Sequence, residues 1–226
     1  RMADLVVLAT PVSAIHKQII PALDLLPENS ILIDLGSTKE KVCAVAKGHP
    51  KRGRYVATHP IAGTENSGPT AAFASLFRDK MMILCNREES DADAFEQVEN
   101  LFNDLEMRIS YMNATEHDRH IAYVSHLSHI SSFALGNTVL EKEVDESKIF
   151  DFAGSGFSST VRLAMSSPEM WGPIFLKNKQ PILEALSGYI AKLQEFQTAI
   201  ETDDATRLHQ LMDHANEIRR VLGRIR

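Results

Sequence analysis

The sequence predicts an α/β domain with a mostly parallel sheet, followed by an all-helical domain. Between residues 5 and 112, short apolar runs alternate with segments of helical spacing. This alternation is typical of adjacent strands that are covered by helices on both faces. From residue 113 to residue 226 the apolar residues recur with helical spacing. We therefore predict a first domain over residues 1–112 and a second over residues 113–226.

The first domain contains five predicted strands and three predicted helices. The continuous apolar runs that begin at Leu5 and Ile31 indicate strands buried on both faces. Ser13 is a candidate N-cap for the helix after the first strand, and Ser37 or Thr38 for the helix after the second. In chain order the predicted elements are strand 5–9, helix 13–26, strand 31–35, helix 39–46, strand 55–58, strand 80–85, helix 92–105 and strand 108–112.

This order is that of the C-terminal half of a Rossmann-type, doubly wound dinucleotide-binding domain. The N-terminal half would carry a glycine-rich phosphate fingerprint, but G-x-G-x-x-G does not occur in this sequence, which also does not begin with Met. Either the chain lacks that half or it binds no dinucleotide, and we favour the first interpretation. Two strand ends are candidates for cofactor contacts: Thr10-Pro11, and Ser37 in the turn Gly36–Lys39.

A histidine after the third strand is the leading candidate for a reactive side chain. His59 opens the segment His59-Pro60-Ile61-Ala62-Gly63-Thr64-Glu65, which combines an imidazole, a glycine-bearing loop and a carboxylate. Ligands of open α/β sheets bind outside the carboxyl ends of the strands, where His59 is expected. The alternative is that His59-Pro60 only ends a strand, because proline cannot continue a ladder.

Two further histidines lie on a long predicted helix in the second domain. Asn113 and Glu116 form a capping-box pattern that opens a helix from about residue 115 to about residue 140. On this helix, His126 and His129 are about one turn apart. Because two histidines alone are a weak metal signal, we predict no metal site. The alternative is that one of them is a hydrogen-bonded core residue and the other is exposed. We favour this purely structural alternative for His126, and we expect His129 to contact an anionic substrate.

A small-residue loop precedes the last helices. Residues 152–162 are rich in glycine and serine and run into a helix, so they could present backbone N–H groups and the guanidinium of Arg162 to an anion. A flexible linker followed by a surface arginine is the alternative. Trp171 is expected in core or interface packing. Predicted helices over about 179–201 and 205–226 complete the domain, and their apolar faces suggest an intertwined dimer.

The composition excludes several classes of partner. The formal net charge of −6 comes without a long basic run, so we predict no nucleic-acid partner. No apolar run reaches membrane-spanning length, and the first residues do not form a signal peptide, so we predict no membrane partner. The two cysteines, Cys43 and Cys85, have no disulfide or metal spacing, which fits the cytoplasm.

Five blocks of this sequence resemble the prephenate dehydrogenase family, over essentially the whole chain. They are Ala9-Thr10-Pro11, Asp34-Leu35-Gly36-Ser37-Thr38-Lys39, His59 to Glu65, Ser125-His126-Leu127-Ser128-His129, and Gly154-Ser155-Gly156-Phe157 through Arg162. The resemblance implies a Rossmann domain, a helical dimerisation domain and NAD, with NADP possible. It also implies a homodimer that converts prephenate to 4-hydroxyphenylpyruvate in tyrosine biosynthesis by oxidative decarboxylation, with hydride transfer to the cofactor.

The same resemblance implies roles for single residues. His59 would accept a hydrogen bond from the substrate hydroxyl as its proton is lost, and Ser37 would orient His59 or that hydroxyl beside the nicotinamide. Arg162 would hold a substrate carboxylate, and His129 would contact the substrate. Glu65 would lie near the entrance of the site. Ser155 would lie in the loop beside the substrate side chain, where relatives often carry acidic or additional glycine residues.

Three alternatives stay open at this point. Arogenate differs from prephenate by an amino group in place of a keto group, so arogenate dehydrogenase is the nearest one. A non-catalytic dimeric fragment that senses a ligand is the second. A β-hydroxyacid-type dehydrogenase is the third, but such enzymes usually employ a lysine on the long helix, and residues 122–133 contain no lysine.

Overall fold

The computed structural model describes residues 3–63, 69–146 and 148–223. Five strands form one sheet in the order β1-β2-β3-β4-β5, and β3 and β4 are antiparallel whereas the other neighbours are parallel. The described part of the connection between β3 and β4 contains no α-helix, and parallel strands need such a crossover. The strands are β1 (Leu5–Leu8), β2 (Ile31–Asp34), β3 (Tyr55–Ile61), β4 (Met81–Cys85) and β5 (Arg108–Met112).

Helices cover both faces of the sheet, which confirms the predicted α/β architecture. On one face α1 (Val12–Leu25) and α2 (Glu40–Ala46) pack on the side of β3 that carries Tyr55 and Ala57. On the other face α3 (Ala92–Asp104) packs on Val56 and its neighbours. Successive residues of a strand point to opposite faces, so β3 contributes to both cores. Complete burial of one large apolar side chain contributes about 1.5–3 kcal/mol.

Strand β1 differs from its prediction because it lies at the edge of this sheet. Its residues are only partly buried, and Val7 is 44% exposed, whereas all four residues of β2 are buried. An apolar run indicates burial but not which elements provide it. The prediction of burial on both faces is therefore wrong for β1 and correct for β2.

The second half of the chain opens with one long helical stretch. Helix α4 (Ala114–Ile121) begins at Asn113, whose Oδ1 accepts from the backbone N–H of Glu116 at 2.8 Å, as the capping pattern predicts. A π-helical turn (Ala122–His126) joins it to α5 (Leu127–Glu143). Such turns are rare overall and are frequent at functional sites.

The remaining helices are α6 (Ser155–Val161), α7 (Pro168–Lys177), α8 (Lys179–Glu201), α9 (Ala205–Asn216) and α10 (Arg219–Leu222). The chain consists of two compact units, Arg1–Ile182 and Leu183–Arg226. The second unit contains most of α8 together with α9 and α10. None of the helices in the described residues is long and apolar enough to cross a membrane.

Candidate active site

Three of the predicted site residues lie near the carboxyl ends of neighbouring parallel strands. Leu8, Asp34 and Ala57 lie side by side at the ends of the parallel pairing of β1, β2 and β3. Thr10, Ser37 and His59 each come two or three residues later in the chain. The carboxyl ends of these parallel strands therefore bring two hydroxyls and an imidazole to the same end of the sheet.

His59 lies inside β3 and not beyond its end. The strand continues through Pro60 to Ile61, which pairs with Met81 of β4. Strand β2 ends opposite Ala57, so the last residues of β3 have a ladder partner only on the β4 side. Proline is tolerated in such an edge segment, because its missing N–H leaves no central ladder bond unmade. His59-Pro60 therefore does not end the strand, and the predicted strand 55–58 is three residues too short.

The side chain of His59 meets a second histidine. His59 lies on the same face of β3 as Tyr55 and Ala57, because residues two apart share a face. That face is covered in part by Ala114 of α4, and His117 follows Ala114 by about one helical turn. His59 Nδ1 lies 2.8 Å from His117 Nε2, and the two rings meet edge to face.

Asp118, the next residue of α4, joins this pair to α2. Its Oδ1 lies 2.8 Å from His117 Nδ1 and accepts from the backbone N–H of Lys39 at 2.7 Å. Its Oδ2 accepts from the backbone N–H of Glu40 at 3.0 Å. A side chain from another helix therefore caps α2, and the predicted caps Ser37 and Thr38 form no capping bond. Similarly, Pro11 occupies the N-cap of α1, so the Ser13 cap is also wrong.

A buried ion pair holds the turn between β2 and α2. Lys39 Nζ donates to the Asp34 carboxylate and, at 2.8 Å, to the carbonyl oxygen of Thr58, and both charged side chains are fully buried. Tyr55 donates its hydroxyl to Asp34 Oδ1 at 2.6 Å, and the backbone N–H of Gly36 donates to Asp34 Oδ2 at 3.0 Å. The side chain of Lys39 is therefore enclosed by protein.

Gly36 is required by close packing in this turn. A Cβ atom at this position would lie 2.9 Å from Asp34 Oδ2 and 3.0 Å from the Ile15 side chain. Such distances force a neighbour to move. The buried hydroxyl of Thr38 has no hydrogen-bond partner within the described residues.

Two exposed residues, Thr10 and Pro11, follow strand β1. Thr10 donates its hydroxyl to Gln18 Oε1 at 2.6 Å, and Pro11 begins α1. Both are placed where they can face a ligand outside the strand ends.

His126 and His129 have different environments. His126 is 1% exposed, and its Nδ1 lies 3.1 Å from Asn178 Nδ2, so it is a core residue with a hydrogen-bond partner. His129 is partly buried and stacks on Trp171 at 3.5 Å between ring centroids. The buried indole Nε1 of Trp171 has no partner in the described part of the chain. No group of three or more potential metal ligands is present among the described residues.

Arg162 lies close enough to His129 for its positive charge to lower the pKa of that imidazole, although burial is the larger cause. Ser132, one turn beyond His129 on α5, fixes the backbone on both sides of Arg162. Its Oγ donates to the carbonyl oxygen of Thr160 at 3.1 Å and accepts from the N–H of Ala164 at 3.0 Å. The predicted substrate residues Arg162 and His129 are therefore brought together.

The described part of the structure does not connect the other two predicted substrate residues, Ser155 and Glu65, to this site. Ser155 is the first residue of α6 and is exposed. The described contacts do not join Ser155 to His129. Glu65 lies outside the described residues.

Burial keeps the histidines of this site neutral. It lowers the pKa of His59 well below its usual value, and the neighbouring His117, Lys39 and His126 lower it further. Burial also lowers the pKa of His117, against the opposing effect of Asp118. At neutral pH both imidazoles are therefore uncharged and can accept a hydrogen bond on one nitrogen.

We expect the buried His126 to make the protein unstable in mild acid. Burial lowers its pKa from 6.5 to about 4. Between these values the unfolded chain binds a proton that the folded chain does not, so the free energy of unfolding falls by up to about 3 kcal/mol as the pH decreases from 6.5 to 4. The measurement is denaturant unfolding at pH 7.5 and at about pH 4, comparing wild type with His126→Asn, which keeps an acceptor near the position of Nδ1.

The matched control is His120→Asn on α4, where the histidine is exposed. The control should lose as much stability as wild type between the two pH values, and His126→Asn should lose less. An equal loss in all three proteins would contradict the assignment.

Sequence reasoning missed His117 and Asp118, although a signal was present. The buried face of α4 consists of Ala114, His117, Asp118 and Ile121, which recur at helical spacing. Two adjacent polar residues on a buried face need partners, since unpaired buried polar groups are costly. The partners, His59 and the start of α2, are distant in sequence and could not be identified without the fold.

Comparison with known proteins places both halves of the chain in one family. The family model described as "Prephenate dehydrogenase, nucleotide-binding domain" matches residues 1–111. The model described as "Prephenate dehydrogenase, dimerization domain" matches residues 113–214.

Similar proteins include two curated bacterial enzymes and one crystal structure. The chain is 33% identical to the cyclohexadienyl dehydrogenase of Zymomonas mobilis over 96% of its own length and 73% of that protein. It is 33% identical to the prephenate dehydrogenase of Bacillus subtilis over 96% of its length and 59% of that protein. The crystal structure of prephenate dehydrogenase from Aquifex aeolicus, in complex with hydroxyphenyl propionate and NAD+, superposes with a TM-score of 0.86 at 30% identity, covering 99% of this chain and 77% of the other.

Proposed function

Since the chain belongs to the prephenate dehydrogenase family, we propose that the protein converts prephenate to 4-hydroxyphenylpyruvate in tyrosine biosynthesis. The reaction releases CO2 and transfers a hydride to NAD. The chain spans 59% of the Bacillus subtilis relative and 73% of the Zymomonas mobilis relative, so the proposal concerns the full-length protein. The observation that carries it is the neutral His59 at the carboxyl edge of the sheet, beside the Ser37 turn.

The residues at this edge fit the nicotinamide end of a dinucleotide. Thr10 and Pro11 are exposed after β1, and the turn with Ser37 follows β2 at the same end of the sheet. The phosphate fingerprint is absent from this sequence, so Thr10, Pro11 and Ser37 are proposed to contact the nicotinamide and its ribose. NAD, when bound, accepts the hydride from the ring carbon that carries the substrate hydroxyl.

His59 acts on that hydroxyl. The neutral imidazole accepts a hydrogen bond from the O–H and takes its proton as the C–O bond becomes a carbonyl. Ser37 orients the hydroxyl or His59. Loss of the ring carboxylate as CO2 then gives the aromatic ring, and the carbonyl oxygen becomes the phenol oxygen after it takes up a proton. General acid–base assistance of this kind contributes about 10²–10⁴-fold.

Arg162 and His129 bind the other end of the substrate. Arg162 offers two parallel N–H donors to a carboxylate, which is the strongest geometry for such a pair. Ser132 fixes the backbone on both sides of Arg162, and the charge of Arg162 is near His129. Ser155 and Glu65 are proposed as further residues of the pocket, on the strength of the family resemblance alone.

The helical half, from residue 113 onward, is proposed as the dimerisation domain, with the boundary after residue 112. The matched family model supports this assignment. Within the unit Leu183–Arg226, large apolar side chains are exposed, including Leu193 (51%), Ile200 (63%) and Leu222 (57%). Exposed apolar side chains on one unit favour burial against a second subunit. A cytoplasmic location is also proposed, and the free, buried thiols of Cys43 and Cys85 support it.

The test is turnover by the full-length protein. We expect NADH to form when prephenate and NAD are supplied, with slower turnover on arogenate and with NADP. Turnover of arogenate alone would identify the protein as an arogenate dehydrogenase. NAD binding without turnover of either substrate would contradict catalysis and favour a ligand-sensing role.

A further inference from the structure

We propose that His117 and Asp118 are positioning residues that place the hydrogen of His59 on Nδ1 and leave its Nε2 as the proton acceptor. The activity part of this inference rests on the proposed function. The tautomer itself does not, because it follows from the hydrogen bonds of five residues in the folded protein.

The first step fixes the carboxylate. Both oxygens of Asp118 accept backbone N–H groups, Oδ1 from Lys39 and Oδ2 from Glu40. A backbone amide nitrogen can only donate, so the orientation of the carboxylate is determined by the start of α2. The side chain of Asp118 is 3% exposed, so water does not compete for these hydrogen bonds.

The second step fixes His117. Its Nδ1 lies 2.8 Å from Asp118 Oδ1, and an ionised carboxylate is an acceptor only, so Nδ1 carries the hydrogen. Burial lowers the pKa of His117, which keeps the ring neutral. A neutral imidazole has one N–H, so Nε2 of His117 is left with a lone pair.

The third step fixes His59. Its Nδ1 is 2.8 Å from His117 Nε2, which carries a lone pair, so Nδ1–H of His59 donates to it. Nε2 of His59 is then unprotonated and can accept from a substrate hydroxyl. With the opposite tautomer, Nε2 would present a hydrogen to that hydroxyl and could not take its proton. The hydrogen bond made by one ring nitrogen thus determines what the other can do.

The chain of hydrogen bonds is also held from the other side. Asn178, just after α7, donates Nδ2 to the carbonyl oxygen of Asp118 at 2.7 Å and lies 3.1 Å from His126 Nδ1. Helix α4 is therefore attached to both α2 and the end of α7. A purely structural role for His117 would require neither the ordered hydrogen bonds from α2 through Asp118 to His117 nor a second histidine at its Nε2.

The first experiment measures the tautomer directly in the wild-type protein. Nitrogen-15 NMR of labelled histidines distinguishes protonated from unprotonated ring nitrogens, and the spectrum of His59→Asn identifies the signals of His59. We expect the hydrogen on Nδ1 of both His59 and His117 at neutral pH. A hydrogen on Nε2 of His59 would overturn the proposal, whatever the substrate is.

The second experiment compares His117→Gln with His117→Asn in the full-length protein. Gln places an amide oxygen near the position of Nε2, where it can still accept from His59. Asn reaches only the position of Nδ1, so it retains a contact with Asp118 and loses His59. We expect Asn to lower kcat on the order of 10–10²-fold with little change in KM, and Gln to retain most of the activity; the loss is smaller than for His59 itself because only its orientation is affected.

The control is His120→Asn, an exposed histidine on the same helix. Thermal unfolding of each variant separates stability from positioning. Equal kcat in the Gln and Asn variants would overturn the proposal. If wild type turns over neither prephenate nor arogenate, the proposed function fails, and the NMR measurement still decides the tautomer.

Discussion

Replacement of His59 by Asn is expected to lower kcat by about 10²–10⁴-fold, the range typical for loss of a general acid–base group. Asn reaches the position of the imidazole Nδ1 and can still donate to His117 Nε2, so the local packing is retained. It has no atom at the position of Nε2, so nothing accepts the proton of the substrate hydroxyl. The measurement is steady-state NADH formation by the full-length protein with prephenate.

KM for prephenate should change little, because the carboxylate end of the substrate is assigned to Arg162 and His129, and His59 contributes a single hydrogen bond to the hydroxyl. His120→Asn is the control for loss of an imidazole, since His120 lies on α4 and is exposed. A kcat within a fewfold of wild type for His59→Asn would remove His59 from the chemistry. A large rise in KM at constant kcat would assign it to substrate binding.

Replacement of Lys39 by Met is expected to lower the free energy of unfolding by about 3–5 kcal/mol, the typical cost of leaving one partner of a buried ion pair. Met fills a similar volume, so the loss is electrostatic. The Asp34 carboxylate would retain the hydroxyl of Tyr55 and the N–H of Gly36 but would lose its counter-ion. The carbonyl oxygen of Thr58 would lose a donor as well. Denaturant unfolding at neutral pH measures the change.

Two further variants make this result specific. The double variant Asp34→Asn with Lys39→Met removes both charges and should recover part of the stability. Arg78→Met breaks an exposed pair with Glu106, in which both side chains are 60% exposed, and should cost less than about 1 kcal/mol. If Lys39→Met lowers the free energy of unfolding no more than Arg78→Met does, the buried ion pair does not stabilise the turn.

Local patterns were sufficient for most of the secondary structure. The predicted helix 92–105 corresponds to α3, Ala92–Asp104, and the predicted strand 108–112 to β5. The Asn113 cap was also predicted correctly, because a cap and the amide it accepts from are three residues apart. The last predicted helix, over 205–226, is divided into α9 and the short α10.

The candidate site was only partly accessible to the same reasoning. Motifs predict His59, His129 and Arg162 as site residues, and the structure places the last two near each other. The cap of α2 was assigned to Ser37 or Thr38, which are near it in sequence, but Asp118 supplies it from 79 residues beyond Lys39. The exposure of Val7 was missed for a related reason, because an apolar run does not specify its neighbours.

The sequence by itself determined the α/β order, the helical second half and the presence of a histidine near the carboxyl end of the third strand. These features depend on periodicity and on turn residues, which act over a few positions. Only the tertiary structure decided that His59 meets His117, that Asp118 caps α2, and that Lys39 is buried against Asp34. Each of these contacts joins polar groups from different elements. A buried polar group must have a hydrogen-bond partner, but the local sequence does not specify which residue that partner is.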